Sequence, residues 1–574
     1  MRAMNDLPDA IDRLTKRIDT LERRVDALEH PLAARWPHAS AETKAESTRP
    51  EIPGAPADRS GALFPVLGKA LLGIAGAYLM RAVEEASPLP KVAVAMAGLA
   101  YAFLWLILAA RSRGGTKFAG AIYACTSALI LAPMLWELTL RFTVLSTAMA
   151  AGVVCAYALA ALALAWKRAL DSLLRVAFIA AAGLALALAI ASHVMMPFLA
   201  VLLVLAAVCE FAPQIERLPE VRALVALAAD VAVWVLIFVY FNPQYAREDY
   251  PAISEAALLA LGIALFLLFA AAVIFRTVLR AKQITVFETV QTTIAFLLAA
   301  VSLADFGPSY SPILLGAVCL LLSVAGYAAV FTIFERASER RNAAVFAAWS
   351  AALLLAGSFL CLPPLAVVLL LGAAAAVATV VGRREDRPPF GFYGLVFLVA
   401  ASATAGLLSF ITKVWFETPP GSPTLVVWVA ALCAILCYAV AWPGVSETRP
   451  AQALHFAFAA LASGASVSLM ARALFALVAI NAIPGAHHLA FIRTLTLCAA
   501  SLTSVFAGAR WRRTELTRLG YLAMGLAAVK LAIEDLRHGH LAYIAASIFL
   551  VALTLIAAPR LARAKQRTRG VKPV

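Results

Sequence analysis

Charge is scarce in this sequence. Only 14% of its 574 residues are Asp, Glu, Lys or Arg, while 63% are hydrophobic and the mean hydropathy is +0.87. A soluble domain averages about 25% charged and about 45–50% apolar residues, so a water-soluble globular chain is excluded. Motifs of the common chemistries are missing too. There is no P-loop, no dinucleotide-binding glycine pattern and no serine-hydrolase elbow. The eight cysteines (Cys125, Cys155, Cys209, Cys319, Cys361, Cys433, Cys437 and Cys498) show no zinc or redox spacing. All fall within or at the ends of apolar runs, where they act as small hydrophobes. No cofactor is expected.

What the sequence has in abundance is apolar runs of helix-spanning length. About eighteen occur, the first over 63–81 and the last over 541–559. They are continuous, which excludes an outer-membrane barrel, whose strands alternate. The fold class is therefore all-α, a polytopic membrane bundle over 63–559. The stretch around Cys361-Leu-Pro-Pro364 reads either as one hairpin or as two half-helices. No secretory signal precedes the first run, so that span is expected to be an uncleaved anchor.

The charges that are present are distributed unevenly. Loops after even-numbered spans, with the C-terminal segment, hold 28 Lys and Arg, whereas the opposite loops hold 6. By the positive-inside rule both termini are cytoplasmic, and the expected location is a bacterial inner membrane. The same count explains most of the net charge of +15 as topology, so no nucleic acid is needed to account for it. The tail over 560–574 carries Arg560, Arg563, Lys565, Arg567, Arg569 and Lys572 without an acid. Directly after a span, it suits anionic lipid at about 1 kcal/mol per residue.

Residues 1–30 have a different pattern. Leu7, Ile11, Leu14, Ile18, Leu21, Val25 and Leu28 alternate spacings of four and three, the seam of a coiled coil with β-branched residues at a and Leu at d. That combination favours parallel dimers. Arg17 and Arg24 at g face Glu22 and Glu29 at e, and Pro31 stops the helix. A homodimer through residues 1–30 is expected. The alternative is an amphipathic helix resting on the protein's own cytoplasmic face. Residues 31–62, with Pro31, Pro37, Pro50, Pro53 and Pro56, read as a flexible linker.

Ionisable residues inside spans are expensive and mark functional candidates. Asp230 is the deepest, near the middle of its run; it reads equally as a proton or cation relay and as a paired structural carboxylate. Glu288 and Gln291 lie one turn apart nearer the cytoplasmic end and suit interhelical hydrogen bonding. Arg472 and Arg493 lie toward the outer half, where a guanidinium could hold a phosphate or carboxylate. Lys530 pairs at i,i+4 with Glu534, next to Asp535, and reads as a snorkelling lysine. His487 and His488 in one outer loop and His538 and His540 in another could converge on zinc; otherwise they are headgroup-level histidines.

Two stretches, "GKALLGIAGAYLMRAVEE" (Gly68–Glu85) and "GYLAMGLAAVKLAIEDL" (Gly520–Leu536), resemble the opening and penultimate spans of a large bacterial family. Its members are uncharacterised polytopic membrane proteins assigned to a domain of unknown function. The resemblance covers nearly the whole chain and implies the same plan of coiled coil, linker and helical array. It matches Lys530 and Asp535 to the family's Lys and Asp near the end of the penultimate helix. Many relatives open the last helix with Arg, where this sequence has "HLAYIAAS" (His540–Ser547), so a Lys–Asp–Arg network does not carry over. No activity comes with the resemblance.

Three functions fit these features. A transporter or flippase of small or lipid-linked molecules suits many spans, buried charges and helix-breaking prolines such as Pro133, Pro197 and Pro363. An envelope scaffold would act through its coiled coil. A membrane-embedded transferase acting on a polyprenyl-phosphate donor would use an outer carboxylate as base and an Arg on the phosphate. Outer loops no longer than about a dozen residues weigh against an enzyme.

Overall fold

A chain in lipid has no water to satisfy its backbone N–H and C=O groups, so apolar runs that cross must fold as helices. In the computed structural model of the protein, the described residues are 68–69, 71–73, 75–76 and 91–567, less 113–116, 167–169, 214, 243–248, 335–339, 385–387, 418–420, 442–448, 482–484 and 536–539. The chain forms two units, Met1–Pro65 and Val66–Val574. The expected coiled coil, the linker and residues 568–574 lie outside the described residues.

All regular structure among the described residues is helical. The helices are α1 (Lys91–Arg111), α2 (Lys117–Trp136), α3 (Thr147–Ala165), α4 (Asp171–Ala191), α5 (Met196–Phe211) and α6 (Pro219–Phe241). Next come α7 (Glu255–Ile274), α8 (Val286–Phe306), α9 (Ser311–Ala329), α10 (Arg340–Cys361), α11 (Pro364–Arg384) and α12 (Pro388–Thr404). The last six are α13 (Leu407–Phe416), α14 (Leu425–Ala441), α15 (Arg449–Asn481), α16 (Ala486–Trp511), α17 (Thr514–Lys530) and α18 (Leu541–Arg567). Helices α2, α7, α9 and α17 each end in a π-helical turn, at Glu137–Arg141, Phe275–Leu279, Val330–Phe334 and Leu531–Asp535.

Among the described residues fourteen helices are long and apolar enough to cross a membrane, or there are fifteen spans if the pair α12–α13 is one. That is fewer than the eighteen expected. The difference lies in three places: α5 and α14 are apolar but short, α12–α13 is bent by 61°, and of the run 63–81 only seven residues are described. The stretch at Cys361–Pro364 is a tight turn between two full spans, α10 and α11. Helix α18 runs on through the start of the basic segment to Arg567, with Arg560 exposed.

Prolines do not make the break. Pro133 lies inside α2, Pro197 opens α5, and Pro363 sits in the α10–α11 turn. The bend falls at Gly406, whose φ of 71° lies in the left-handed region. Only glycine occupies that region without a Cβ penalty.

Consecutive helices pack as antiparallel hairpins, with α1–α2, α7–α8, α9–α10, α11–α12 and α16–α17 among the closest pairs. Small residues allow the approach, as expected where lipid offers no hydrophobic drive between helices. At the α9–α10 contact a Cβ on Gly357 would meet the Gly316 carbonyl oxygen at 2.7 Å. Helices α1–α8 share one apolar core; α10–α15 share a second, and Leu497, Cys498, Ala527 and Val551 form a small third among α16, α17 and α18. Large apolar side chains such as Leu321, Phe549 and Trp166 remain exposed, a surface suited to lipid rather than water. The alternation of helices collects Arg111, Arg222, Arg276, Arg280, Arg383 and Arg513 at one end of the bundle, called here the arginine-rich end.

Candidate functional site

Among the described residues, three polar constellations within the apolar bundle surround sequence-predicted candidates: those of Glu288, of Asp230 with Gln291, and of Arg493 with Lys530. The first is at the arginine-rich end, where α5–α6 meets α7–α8. The chain turns from α5 into α6 between Glu210 and Arg222, and from α7 into α8 between Arg276 and Glu288. Each pair is twelve residues apart, and 66 residues separate the two pairs in both cross-contacts, with the order of signs reversed. Arg222 grips Glu210 through two bonds, Nε to Oε1 at 3.2 Å and Nη2 to Oε2 at 2.8 Å, and reaches Glu288 at 3.3 Å. Arg276 donates to Glu288 Oε1 and to the Glu210 backbone oxygen, and its Nη2 lies 3.6 Å from Glu210 Oε2. The Arg222 guanidinium also lies over the Phe287 ring. Glu288 closes a capping box at the start of α8: its Oε2 accepts from Thr285 N at 2.8 Å, and Thr285 Oγ1 accepts from Glu288 N. All four charged residues are buried. Two positive and two negative charges thus cancel without water, the condition under which buried ions are tolerated.

The second lies deeper on the same helices. Gln291 Nε2 donates to both carboxylate oxygens of Asp230 at 2.9 Å each, joining α8 to α6. Glu210, Asp230, Glu288, Glu515 and Asp535 are the buried carboxylates among the described residues. Four of them are in ion pairs. Asp230 has an amide in place of a cation.

The third is at the opposite end and is built around the broken span. Helix α13 ends with unsatisfied carbonyls, as every helix does, and Arg493 of α16 fills that end. Its Nε donates to Val414 O at 2.8 Å, its Nη2 to Glu417 O at 2.6 Å and its Nη1 to Glu534 Oε1 at 2.7 Å. Beside it, Lys530 donates to Asp535 Oδ1, to Ala490 O and to Thr494 Oγ1, while Thr494 donates to Asp535 Oδ2 at 2.7 Å. Lys530 therefore turns inward, 13% exposed, rather than snorkelling; its contact with Glu534 at 3.5 Å is secondary to that with Asp535. The π-helical turn Leu531–Asp535 brings Asp535 back to Lys530, five residues away rather than four. Trp415 ties α13 to α15 through Ser468 Oγ at 3.0 Å.

The other candidates are placed apart. Arg472 donates to Gly421 O at 3.1 Å and lies over Phe475. His487 and His488 sit in the first turn of α16 with ring centroids 4.1 Å apart, both against Tyr543. His488 Nδ1 accepts from Gly485 N. His540 is exposed, and His538 lies outside the described residues. Among the described residues no group of three His, Cys, Asp or Glu side chains is placed to hold a metal.

Sequence reasoning found Glu288 but missed its partners Glu210, Arg222 and Arg276, because the two arginines read as loop charges that set topology. The twelve-residue Glu–Arg and Arg–Glu spacings across two successive turns were the available signal. It also missed Arg513, which pairs with Glu515 at 2.9 Å and lies over the Tyr438 ring. No family model matches the chain, and no curated protein or solved structure matches it.

Proposed function

We propose that this chain is a multi-pass inner-membrane protein of transport type, moving a small or lipid-linked molecule, with its arginine-rich end in the cytoplasm. The observation that carries this reading is the broken span α12–α13. A helix interrupted within a bundle exposes backbone carbonyls and a helix-dipole end at membrane depth. Discontinuous helices of this kind build substrate and ion sites in transporters. The half-helix α13 is ten residues long and is held at its far end by Arg493 and by the Trp415–Ser468 hydrogen bond, an arrangement that permits movement about Gly406. Membership of the family of uncharacterised polytopic membrane proteins is part of the same proposal, as are the dimer through residues 1–30 and the anionic-lipid contact of the basic tail.

The transferase alternative needs an arginine available to a phosphate. Arg493 has its donors committed to Val414, Glu417 and Glu534, which weighs against it. The scaffold alternative draws on residues 1–30 and on the closed ionic networks. Proteoliposomes decide between transport and scaffold. They are loaded with a pH-sensitive dye under an imposed proton gradient, tested for osmotic release of small solutes, and tested for loss of protection of fluorescent inner-leaflet lipid. Transport predicts passage in at least one assay, reduced by a disulfide or cross-link that fixes α13 to α15. Vesicles as tight as protein-free ones in all three would leave the scaffold.

A further inference from the structure

We propose that Asp230 binds and releases a proton in place, with Gln291 as a partner that serves both protonation states. The pair is enclosed: both residues are buried, and the hydrogen bonds of Asp230 are those from Gln291 Nε2 to Oδ1 and Oδ2, 2.9 Å each. A glutamine amide presents a donor at one end and an acceptor at the other. An ionised carboxylate only accepts, and the observed geometry, one nitrogen shared by two oxygens, satisfies it. A protonated Asp230 gains an O–H donor. Turning the Gln291 amide about its last side-chain bond then sets Oε1 against that O–H while Nε2 stays on the other oxygen. The result is a closed acid–amide pair with two hydrogen bonds, reached without backbone movement. The proton arrives on a carboxylate oxygen as a hydronium O–H bond breaks, and no other reactant is required.

The surrounding charges set this site apart. On α5 the titratable groups are Cys209 and Glu210; on α6, besides Asp230, Glu220, Arg222 and Tyr240; on α7 and its π-helical turn, Glu255 and Arg276; on α8, Glu288 and Asp305; on α4, Asp171 and Arg175. Glu210, Arg222, Arg276 and Glu288 neutralise one another, and Arg175 pairs with Glu220. Arg222 is eight residues along α6 from Asp230, about 12 Å at the helical rise. Arginines pair with Glu210 and Glu288. Among the described residues no cation pairs with Asp230, whose hydrogen bonds come from the Gln291 amide, and this leaves it open to exchange. As the coupling site of a transporter this rests on the transport reading; proton binding itself does not.

The test uses the full chain in lipid nanodiscs and infrared difference spectra across a pH titration. The expected result is a protonated-carboxyl C=O band that appears as pH falls, moves on deuteration and is lost in Asp230→Asn. That variant should fold, because an asparagine side chain at this position can form the same closed pair with Gln291. Gln291→Leu removes the partner and keeps the acid; the midpoint of the band should move by about one pH unit or more. A pH series with no band that Asp230→Asn removes would overturn the proposal, and a midpoint unmoved by Gln291→Leu would overturn the role of the amide. Flux in proteoliposomes separates the two readings: a band without any flux leaves the proton site and removes transport, whereas flux without the band does the reverse.

Discussion

The two ends of the bundle solve the problem of buried charge differently. At the arginine-rich end Glu210, Arg222, Arg276 and Glu288 form a sealed square, with side chains 3–7% exposed, and it joins two complete helical hairpins. At the opposite end the Arg493 side chain is 3% exposed, but Glu534 reaches 25% and Lys530 13%. Two of the three groups gripped by Arg493 are backbone carbonyls of a half-helix and its C-terminal cap. Both networks balance two cations with two carboxylates. The sealed one fixes register between elements that are already whole, whereas the other holds down an element that is not. Regions stabilised by few, partly solvated contacts open at lower free energy. Movement in this protein is therefore expected at α13, with α5–α8 as the frame.

The largest expected effect is at the sealed square. Arg222→Ala leaves Glu210 with only the 3.6 Å contact to Arg276 and Glu288 with Arg276 alone, and breaking a buried pair typically costs about 3–5 kcal/mol. The expected outcome is loss of most folded protein from the membrane, measured by size-exclusion fluorescence after detergent extraction. Replacing both Arg222 and Glu210 by Met should recover much of it, because two apolar side chains leave less charge buried. A double variant no better than Arg222→Ala would mean that packing, not charge, sets the cost.

Arg493→Ala comes next. It removes three charge-assisted bonds, each worth about 1.5–3 kcal/mol in isolation, but the released carbonyls and Glu534 lie near an exposed end and regain water. A net loss of about 2–3 kcal/mol is expected, concentrated locally. Hydrogen exchange should accelerate over 407–417 and remain slow over α5–α8. Arg493→Lys should not restore protection, since a point ammonium cannot span two carbonyls and a carboxylate. Uniform acceleration across both regions would erase the proposed difference between the ends.

Gly406→Ala probes the hinge alone. A Cβ there meets nothing within 4 Å, so the cost is conformational, about 1–2 kcal/mol for a left-handed residue bearing a side chain. The expected signature is a lowered Tm with the Arg493 contacts retained, checked by the protection of α13 relative to Arg493→Ala.

How much of this was legible follows from what holds each feature. Helix positions were readable because apolar runs in lipid leave the backbone no alternative, and the observed limits of α6, α8 and α11 lie close to those runs. The break was not readable. "AASATAGLLSF" continues one apolar run, and the contact that holds the end of α13 comes from Arg493, 79 residues from Val414. Pro133 gave the opposite error, a breaker by composition that α2 accommodates just before a π-helical turn. Asp230 and Gln291 were each visible as polar residues in a span, but their pairing across 61 residues was not. Arg222 and Arg276 were visible only as positive charges, since periodicity does not tell a charge facing water from one folded under a neighbouring hairpin.

The smallest expected effect tests how far the sealed square extends toward water. Glu216 lies in the turn between α5 and α6, outside the spans, with Lys282 against one oxygen and Arg280 3.4 Å from the other. The Lys282 hydrogen bond, with the charges of Lys282, Arg276 and Arg280, holds its carboxyl below the usual range, against a smaller opposing contribution from burial. A carboxyl whose pKa is lower folded than unfolded adds stability above the unfolded value, about 4.3. It loses that stability as pH falls through the depressed folded value. Partly exposed pairs of this kind are worth about 0.2–1 kcal/mol and weaken in salt. Glu216→Gln should therefore lower Tm slightly at neutral pH, with the gap shrinking in high salt and closing as the pH drops below about 4. The sealed square, screened from solvent, should show no comparable salt response in Arg222→Ala. If the Glu216→Gln gap persisted unchanged at low pH and high salt, the contact would act by shape rather than charge, and Glu216 would belong with the sealed square instead of forming its solvated rim.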